Sequence, residues 1–114
     1  MEKYWQWVKG RQNPTYEKFL IFQSKRLKAD CYLLRYGKNS YLKSHIDATD
    51  KNHRHYRANL VLKNSRSGGV FKCKKTILDW PRLKVFEAGK YSHSLTKILE
   101  GNRLVLSIGI RILK

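Results

Sequence analysis

Residues 31–63 read CYLLRYGKNSYLKSHIDATDKNHRHYRANLVLK, and this stretch decides the fold. Its apolar residues fall into the short runs CYLLRY, YLKSHID and YRANLVLK, which are separated by turn-forming residues such as GKNS. Short runs bounded by Gly, Asn and Ser are typical of β-strands. We therefore expect a strand at each run, with ATDKNHRH (residues 48–55) as the loop before the last one.

The C-terminal half of the chain continues the same pattern. A turn is predicted at NSRSGG (residues 64–69), and the strand-like segments VFKCKK, LKVFEAG, SLTKILEG and RLVLSIGIRIL follow it. Strands spaced about eight to twelve residues apart are typical of a β-sandwich or jelly roll. The chain is thus expected to be mainly β, with about seven or eight strands.

The N-terminal part has a different pattern. Residues 15–28, TYEKFLIFQSKRLK, place Phe19, Phe22 and Leu27 at roughly helical spacing, and Pro14 stands just ahead of them. A proline before an amphipathic run is a helix-start signal. One short N-terminal helix is therefore predicted.

Length and composition indicate one folded domain over residues 1–114, with 41% hydrophobic and 12% aromatic residues. The formal net charge is +17, from 25 Lys and Arg against 8 Asp and Glu. Nucleic acid, or a nucleoprotein, is the commonest partner of such a surface. A merely soluble basic protein, or a protein that binds acidic proteins, remains the alternative.

The chain has no apolar run long enough for a transmembrane helix, and MEKYWQWVKG at its start does not fit a signal peptide. Cys31 and Cys73 lie far apart without metal-binding spacing, so reduced thiols are expected rather than a disulfide. These features favour a cytoplasmic protein with no membrane partner. They leave the oligomeric state open.

Three residues suggest a metal site. His45 and Asp47 are one residue apart in a predicted strand, so both side chains leave the same face. This pair alone is a weak signal, but His93 follows downstream, and two histidines with one carboxylate form the facial triad of non-haem Fe(II) oxygenases. The same donors suit Mn(II) or Zn(II). Arg103, at the start of the last predicted strand, could pair with a carboxylate in such a pocket.

At these residues the chain resembles a known family. LLRYGKNSYLKSHIDA (residues 33–48) is similar to the segment that carries the HxD motif in 2-oxoglutarate- and Fe(II)-dependent dioxygenases, in particular the prolyl-hydroxylase-like branch. NLVLKNSRSGGVF and KVFEAGKYSHSLTKILEGNRLVLSIGI resemble the family's later segments, in the same order. The resemblance covers residues 31–111 and implies a double-stranded β-helix (jelly roll), here of minimal length.

The resemblance also implies roles for individual residues. The iron ligands would be His45, Asp47 and His93. The 2-oxoglutarate cosubstrate would be held by Arg103, with Ser107, Tyr36 and Asn59 beside it. For Tyr36 an ordinary core position is the alternative, and Asn59 could instead face outward because the strand register is open. Leu60 and Leu62 are expected to wall the pocket.

The implied cofactors are Fe(II), 2-oxoglutarate as cosubstrate, and O2. The implied reaction decarboxylates 2-oxoglutarate to succinate and oxidises a substrate C–H bond, by hydroxylation or oxidative demethylation. The high positive charge favours a nucleic acid or nucleoprotein substrate, whereas the prolyl-hydroxylase likeness favours a protein side chain. The alternatives are a basic nucleic-acid-binding jelly roll with a non-catalytic divalent metal site, and a cupin-like protein that holds Zn or Mn without redox chemistry.

Candidate substrate contacts follow the HxD motif. The predicted loop contains His53, Arg54 and His55, and Arg57 follows it; we expect these residues at the mouth of the pocket, contacting substrate rather than metal. A solvated charged turn is the alternative. Trp80, beside Pro81 in an apparent loop, is expected to be an exposed recognition aromatic, whereas Trp5 and Trp7 could stack on bases or contribute to the core.

Overall fold

A computed structural model of the chain describes residues 6–9, 16–47 and 49–114, and every helix or strand assigned there is a strand. In chain order the strands are β1 Trp7–Lys9, β2 Glu17–Ser24, β3 Ala29–Tyr36, β4 Leu42–His45, β5 His53–Lys63, β6 Ser67–Gly68, β7 Phe71–Cys73, β8 Leu78–Asp79, β9 Leu83–Glu87, β10 His93–Leu95, β11 Ile98–Glu100 and β12 Arg103–Leu113.

The strands form three antiparallel sheets. The largest has seven strands in the order β1-β2-β3-β12-β5-β9-β8, and the smaller sheets have the orders β4-β10-β7 and β11-β6. The long strand β12 lies at the centre of the large sheet, between β3 and β5. Ser107 of β12 is opposite Tyr32 of β3 on one side and Asn59 of β5 on the other. This register determines which side chains meet inside the molecule.

The hydrophobic core lies where the sheets pack together. Its buried members come from both layers, and several half-buried side chains pack against them. The core comprises Tyr36, Val61, Leu95, Ile98 and Val105, with Tyr16, Leu34, Leu42 and Phe71 around it. The apolar core occupies the part of the large sheet near the start of β12, which leaves the inner face farther along β12 for polar residues.

Side chains alternate along β12, as a half-buried antiparallel strand requires. Val105 and Ser107 are buried, whereas Ile108 and Ile110 are exposed on the outer face of the large sheet. Because β5 alternates in the same way, Val61 is buried and its neighbours are exposed. The expectation that Leu60 and Leu62 wall the pocket is therefore wrong, since those positions face outward.

The predicted N-terminal helix is also wrong over the described part of residues 15–28. The chain there forms β2 and a turn, and β3 begins directly after it at Ala29. A register shift between Leu20 and Phe22 interrupts the two-residue alternation of β2, which produced a false helical spacing in the sequence. Leu20 is 2% exposed and Phe22 46% exposed, so the apolar run pairs with β3 instead of forming a helix.

The predicted loop at residues 48–55 ends earlier than expected, because β5 already begins at His53. Strand β12 is long enough to pair with this charged segment, and Arg54 and His55 lie opposite Ile112 and Arg111. The segment DKNHRH is predicted as a loop because its many charged and polar residues do not show the apolar alternation of a strand. Among the described residues no helix is long and apolar enough to span a membrane.

Candidate metal centre and cosubstrate pocket

The three residues proposed as metal ligands meet at one point. His45 ends β4, His93 begins β10, and the two are directly opposite in the antiparallel pair. Asp47 follows β4, and its Oδ1 atom is 3.3 Å from Nε2 of His45 and 3.3 Å from Nε2 of His93. The donor atoms of all three residues lie within 4.8 Å of one another. Such a set can hold one divalent metal ion.

Backbone carbonyl groups orient both imidazoles. Nδ1 of His45 lies 2.7 Å from the carbonyl oxygen of Lys43, and Nδ1 of His93 lies 3.1 Å from that of Tyr91. A carbonyl oxygen only accepts, so Nδ1 is the protonated nitrogen that donates in each ring. Nε2 of each ring therefore faces Asp47, where it can donate to the carboxylate or, without its proton, offer a lone pair to a metal ion.

The cluster also influences its own protonation. Burial by itself raises the pKa of Asp47, but the hydrogen bonds with His45 and His93 and the nearby charges outweigh burial and hold this pKa well below its usual range. The hydrogen bond with Asp47 in turn raises the pKa of His45, against the opposing effect of burial. The carboxylate is therefore ionised and ready for a cation.

The cluster opens into a cavity of about 440 Å³ between the sheets. The cavity is also lined by all four residues that the resemblance placed around 2-oxoglutarate, which are Tyr36, Asn59, Arg103 and Ser107. A volume of this size accommodates a small organic acid together with part of a second molecule. The structure thus brings the expected metal ligands and cosubstrate residues to one cavity.

A buried arginine lines the cavity near the apolar core, at the start of β12. Arg103 is 7% exposed, and its guanidinium donates hydrogen bonds to Oδ1 of Asn64 at 3.0 Å and to the carbonyl oxygen of Gly69 at 3.3 Å. Both acceptors are neutral, and Arg103 forms no salt bridge with any acidic residue of the described chain. Burial accordingly lowers the pKa of Arg103. A buried cation with only neutral partners is costly, so this site favours an anion.

Tyr36 is packed beside this arginine. Its side chain is buried, and its ring centroid lies 5.0 Å from that of Tyr16. Burial strongly raises the pKa of the Tyr36 phenol, so the hydroxyl keeps its proton and can donate a hydrogen bond.

Ser107 and Asn59 form the next polar layer along the cavity. The Ser107 hydroxyl donates to Oδ1 of Asn59 at 2.7 Å and accepts a hydrogen bond from Nη1 of Arg57 at 2.6 Å. Of the two orientations that the sequence left open for Asn59, the structure has the inward one.

The sequence predicts Arg57 at the mouth of the pocket, but the structure places it inside the cavity. Its side chain is 13% exposed, and it reaches across β12 to pair with Asp30 of β3 at 2.5 Å. It passes over Gly109, where a Cβ atom would lie 2.4 Å from Nη2 of Arg57. Its Nε atom is 3.8 Å from Oδ2 of Asp47. Arg57 therefore links the metal cluster to a second buried carboxylate.

The other proposed substrate contacts are spread over the molecule. His53 pairs with Asp50 at 2.7 Å, and Arg54 pairs with Glu87 at 3.1 Å. His55 was expected in an exposed loop, but it is 4% exposed on the inner face of β5 because strand pairing with β12 turns its ring inward. Trp80 is 58% exposed, as expected for a loop residue, but it is not among the residues that line the cavity.

Two solved structures share this arrangement of strands. A prolyl-4-hydroxylase from Pseudomonas putida superposes with a TM-score of 0.70 over 93% of this chain and 77% of its own, at 17% identity. A cupin-2 domain from Rhodospirillum rubrum superposes with a TM-score of 0.60 over 100% of this chain and 76% of its own, at 11% identity. The chain has a cupin-like jelly-roll fold. No protein-family model and no curated protein sequence matches it.

Sequence reasoning missed Asp30, which lines this jelly-roll cavity, and Gly109, over which Arg57 passes. Asp30 and Gly109 carry no motif, and their importance depends on the pairing of β3, β12 and β5. One signal was available, since a glycine within the strand-like run LVLSIGIRIL often marks a close approach by another group. In the jelly roll that group is the side chain of Arg57.

Proposed function

We propose that this chain is a 2-oxoglutarate- and Fe(II)-dependent dioxygenase that acts in the cytoplasm on a macromolecular substrate, a nucleic acid or a protein side chain. One observation carries the proposal. The buried guanidinium of Arg103, whose partners among the described residues are neutral, lines the same cavity as the His45, Asp47 and His93 cluster. A cavity with both features suits a metal ion and a small acid together.

The donor set fits Fe(II). Two neutral imidazole nitrogens and one carboxylate oxygen are the ligands of the facial triad, which leaves coordination positions free for other groups. His45 and His93 present Nε2 because their Nδ1 atoms are held by backbone carbonyls. When bound, Fe(II) and 2-oxoglutarate would supply oxidation of a substrate C–H bond, with dioxygen as the oxidant and succinate and carbon dioxide as products.

The residues of the chain would bind and orient the cosubstrate. Arg103 would pair with the distal carboxylate, replacing the contacts that it makes with Asn64 and Gly69. Tyr36 would donate a hydrogen bond from its protonated hydroxyl, and the Ser107 hydroxyl would act farther along the cavity. The buried Val105, which lines the same cavity, would keep water away from the acid.

The likeness to a prolyl-4-hydroxylase supports a hydroxylation reaction. The likeness to a cupin-2 domain supports the second candidate, a jelly roll with a non-catalytic divalent metal site and a nucleic-acid-binding surface. Zn(II) or Mn(II) would fit the same three donors. The second candidate does not explain the buried Arg103, and for this reason the dioxygenase is preferred.

The test uses the purified chain under anaerobic conditions. Fe(II) and 2-oxoglutarate are added, and a weak visible absorption band that requires both is expected. Oxygen is then admitted, and succinate is measured. Arg103→Ala should abolish the band at low 2-oxoglutarate, whereas the exposed arginine control Arg66→Ala should keep it. If wild type gives neither band nor succinate while still binding Zn(II), the non-catalytic candidate is favoured.

A further inference from the structure

The inner face of the large sheet is arranged in rows, because β5, β12 and β3 pair in register. Arg57, Gly109 and Asp30 form one row, and the next row toward the end of β12 contains His55 and Arg111. Successive rows on one face are two residues apart, or about 7 Å. Arg57 is beside Asp47, so the row of His55 and Arg111 is the next row of the sheet, on the side away from Arg103.

His55 has a buried imidazole ring whose nitrogen atoms are not satisfied within the described part of the chain. It is 4% exposed and lines the cavity, yet neither ring nitrogen has a hydrogen-bond partner among the described residues. Burial lowers the pKa of His55 to about 4, and the nearby charge of Arg57 acts in the same direction. The imidazole is therefore neutral near pH 7 and offers one N–H donor and one acceptor. Such a group is costly unless a ligand satisfies it.

Arg111 supplies charge in the same row. It lies opposite His55 and lines the cavity, and it forms no salt bridge with any acidic residue that the structure describes. The nearest carboxylate of the adjacent row, Asp30, is already paired with Arg57. Neutral His55 and charged Arg111 together present hydrogen-bond donors to an anion.

Further cations surround this open end. The backbone N–H of Arg111 donates to the carbonyl of Lys28, and that of Lys114 donates to the carbonyl of Asn52, so three chain segments converge here. Five exposed basic residues form the basic rim: Lys25, Arg26, Lys28, Lys51 and Lys114. None of them forms a salt bridge with an acidic residue that the structure describes. Asp50, an acidic residue at this end, pairs with His53.

We propose that His55, Arg111 and the basic rim form a binding site for the phosphate backbone of a single-stranded nucleic acid, one unpaired nucleotide of which enters the cavity. This inference rests on the proposed function, and it selects a nucleic acid as the substrate class. Arg111 and the N–H of His55 hold the phosphate of the entering nucleotide. The rim holds the neighbouring phosphates.

The position of the cluster inside the cavity explains why the strand must be unpaired. The metal cluster, His55 and Arg111 line one cavity between the sheets, and a base that is stacked in a duplex cannot enter such a cavity. The rim extends over three chain segments, which suits an anion that repeats at every nucleotide. An acidic peptide presents such a series only in special sequences.

The test measures fluorescence anisotropy of labelled single-stranded oligonucleotides of about 12 nucleotides, both DNA and RNA, over a range of sodium chloride concentrations. The rim variant is Arg111→Ala with Lys28→Ala. Its control is Lys63→Ala with Lys97→Ala near the Arg103 end of the cavity, which lowers the net charge of +17 by the same two units. We expect affinity to fall about tenfold or more in the rim variant and less than about threefold in the control.

His55→Phe separates the built site from general charge attraction. It removes both ring nitrogens but no charge, so the affinity should fall about fivefold while the salt dependence stays that of wild type. In the rim variant, by contrast, the salt dependence should become weaker. The negative slope of log affinity against log salt concentration should decrease in magnitude by about 1.4, because two phosphate contacts are removed. Circular dichroism checks that each variant is folded.

Three results would overturn the inference. One is an equal loss of affinity in the rim variant and its control, which would mean that binding follows net charge alone. Another is competition by polyglutamate as effective as that by an unlabelled oligonucleotide, which would favour an acidic protein partner. The last is tighter binding of duplex than of single strands. These measurements need neither iron nor 2-oxoglutarate, so their failure is separate from that of the absorption and succinate assay.

Discussion

Arg57 and Arg103 are both buried arginines in one cavity, but their surroundings differ. Arg57 pairs with Asp30, approaches Asp47 and donates to Ser107. Within the described residues, Arg103 donates only to two neutral oxygen acceptors, on Asn64 and Gly69. A cation whose counter-charge is part of the fold contributes to stability, whereas a cation without one favours a bound anion. The comparison assigns Arg57 to the structure of the site and Arg103 to ligand binding.

The largest expected effect is on stability at Arg57. Arg57→Met would leave Asp30 buried without its counter-charge, and the free energy of unfolding should fall by about 3–5 kcal/mol. Urea denaturation measures this change in the free energy of unfolding. The double variant Arg57→Met with Asp30→Leu should recover a large part of the loss, since both charges are then absent. Equal instability of the single and double variants would contradict the assignment of Arg57 to a built-in ion pair.

Arg103 should show the opposite behaviour. Arg103→Met is expected to weaken 2-oxoglutarate binding about 100-fold, because a buried charge-paired contact is worth roughly 2–5 kcal/mol. The unfolding free energy of the free protein should change little, because no carboxylate in the described part of the chain loses its partner. Isothermal titration in the presence of a redox-inert divalent metal measures the affinity. If Arg103→Met strongly destabilised the protein without weakening 2-oxoglutarate binding, Arg103 would belong to the structure of the site and not to ligand binding.

Substitution of Gly109 tests whether the absence of a side chain there allows Arg57 to reach Asp30. Gly109→Ala would place a Cβ atom 2.4 Å from Nη2 of Arg57, so the guanidinium must move and the ion pair must weaken. We expect a destabilisation of about 1–3 kcal/mol, measured by urea denaturation. In an Arg57→Met background the same substitution should cost clearly less. An undiminished cost in that background would show that the clash is with Oδ1 of Asp30, which would lie 2.9 Å from the same Cβ atom, and not with the arginine.

The smallest effect concerns pH and the metal cluster opposite Arg57. The pKa of His45 is raised by Asp47, and a metal needs the unprotonated Nε2 atom. Metal affinity should therefore be full above the raised pKa and fall by up to about tenfold for each pH unit below it. Titration with Zn(II) or Mn(II) at several pH values measures this. An affinity that does not change with pH would indicate that His45 is not a ligand.

Much of the site could be predicted because it depends on local spacing. His45 and Asp47 share a face through the alternation of an extended chain, and Arg103 and Ser107 share a face of β12 for the same reason. The N-terminal helix was wrong because a register shift between Leu20 and Phe22 distorts that alternation. No property of a single segment could reveal this shift, which exists only relative to β3.

The sequence by itself determined the β-strand pattern from residue 31 onward, the high positive charge, and the spacing of the candidate metal and cosubstrate residues. Only the tertiary structure decided that Arg57 reaches Asp30 over Gly109 and that His55 is buried facing the cavity. The physical reason is the range of the interactions. Side-chain alternation acts between neighbours in the chain, whereas the pairing of β3, β12 and β5 is set by hydrogen bonds between distant segments.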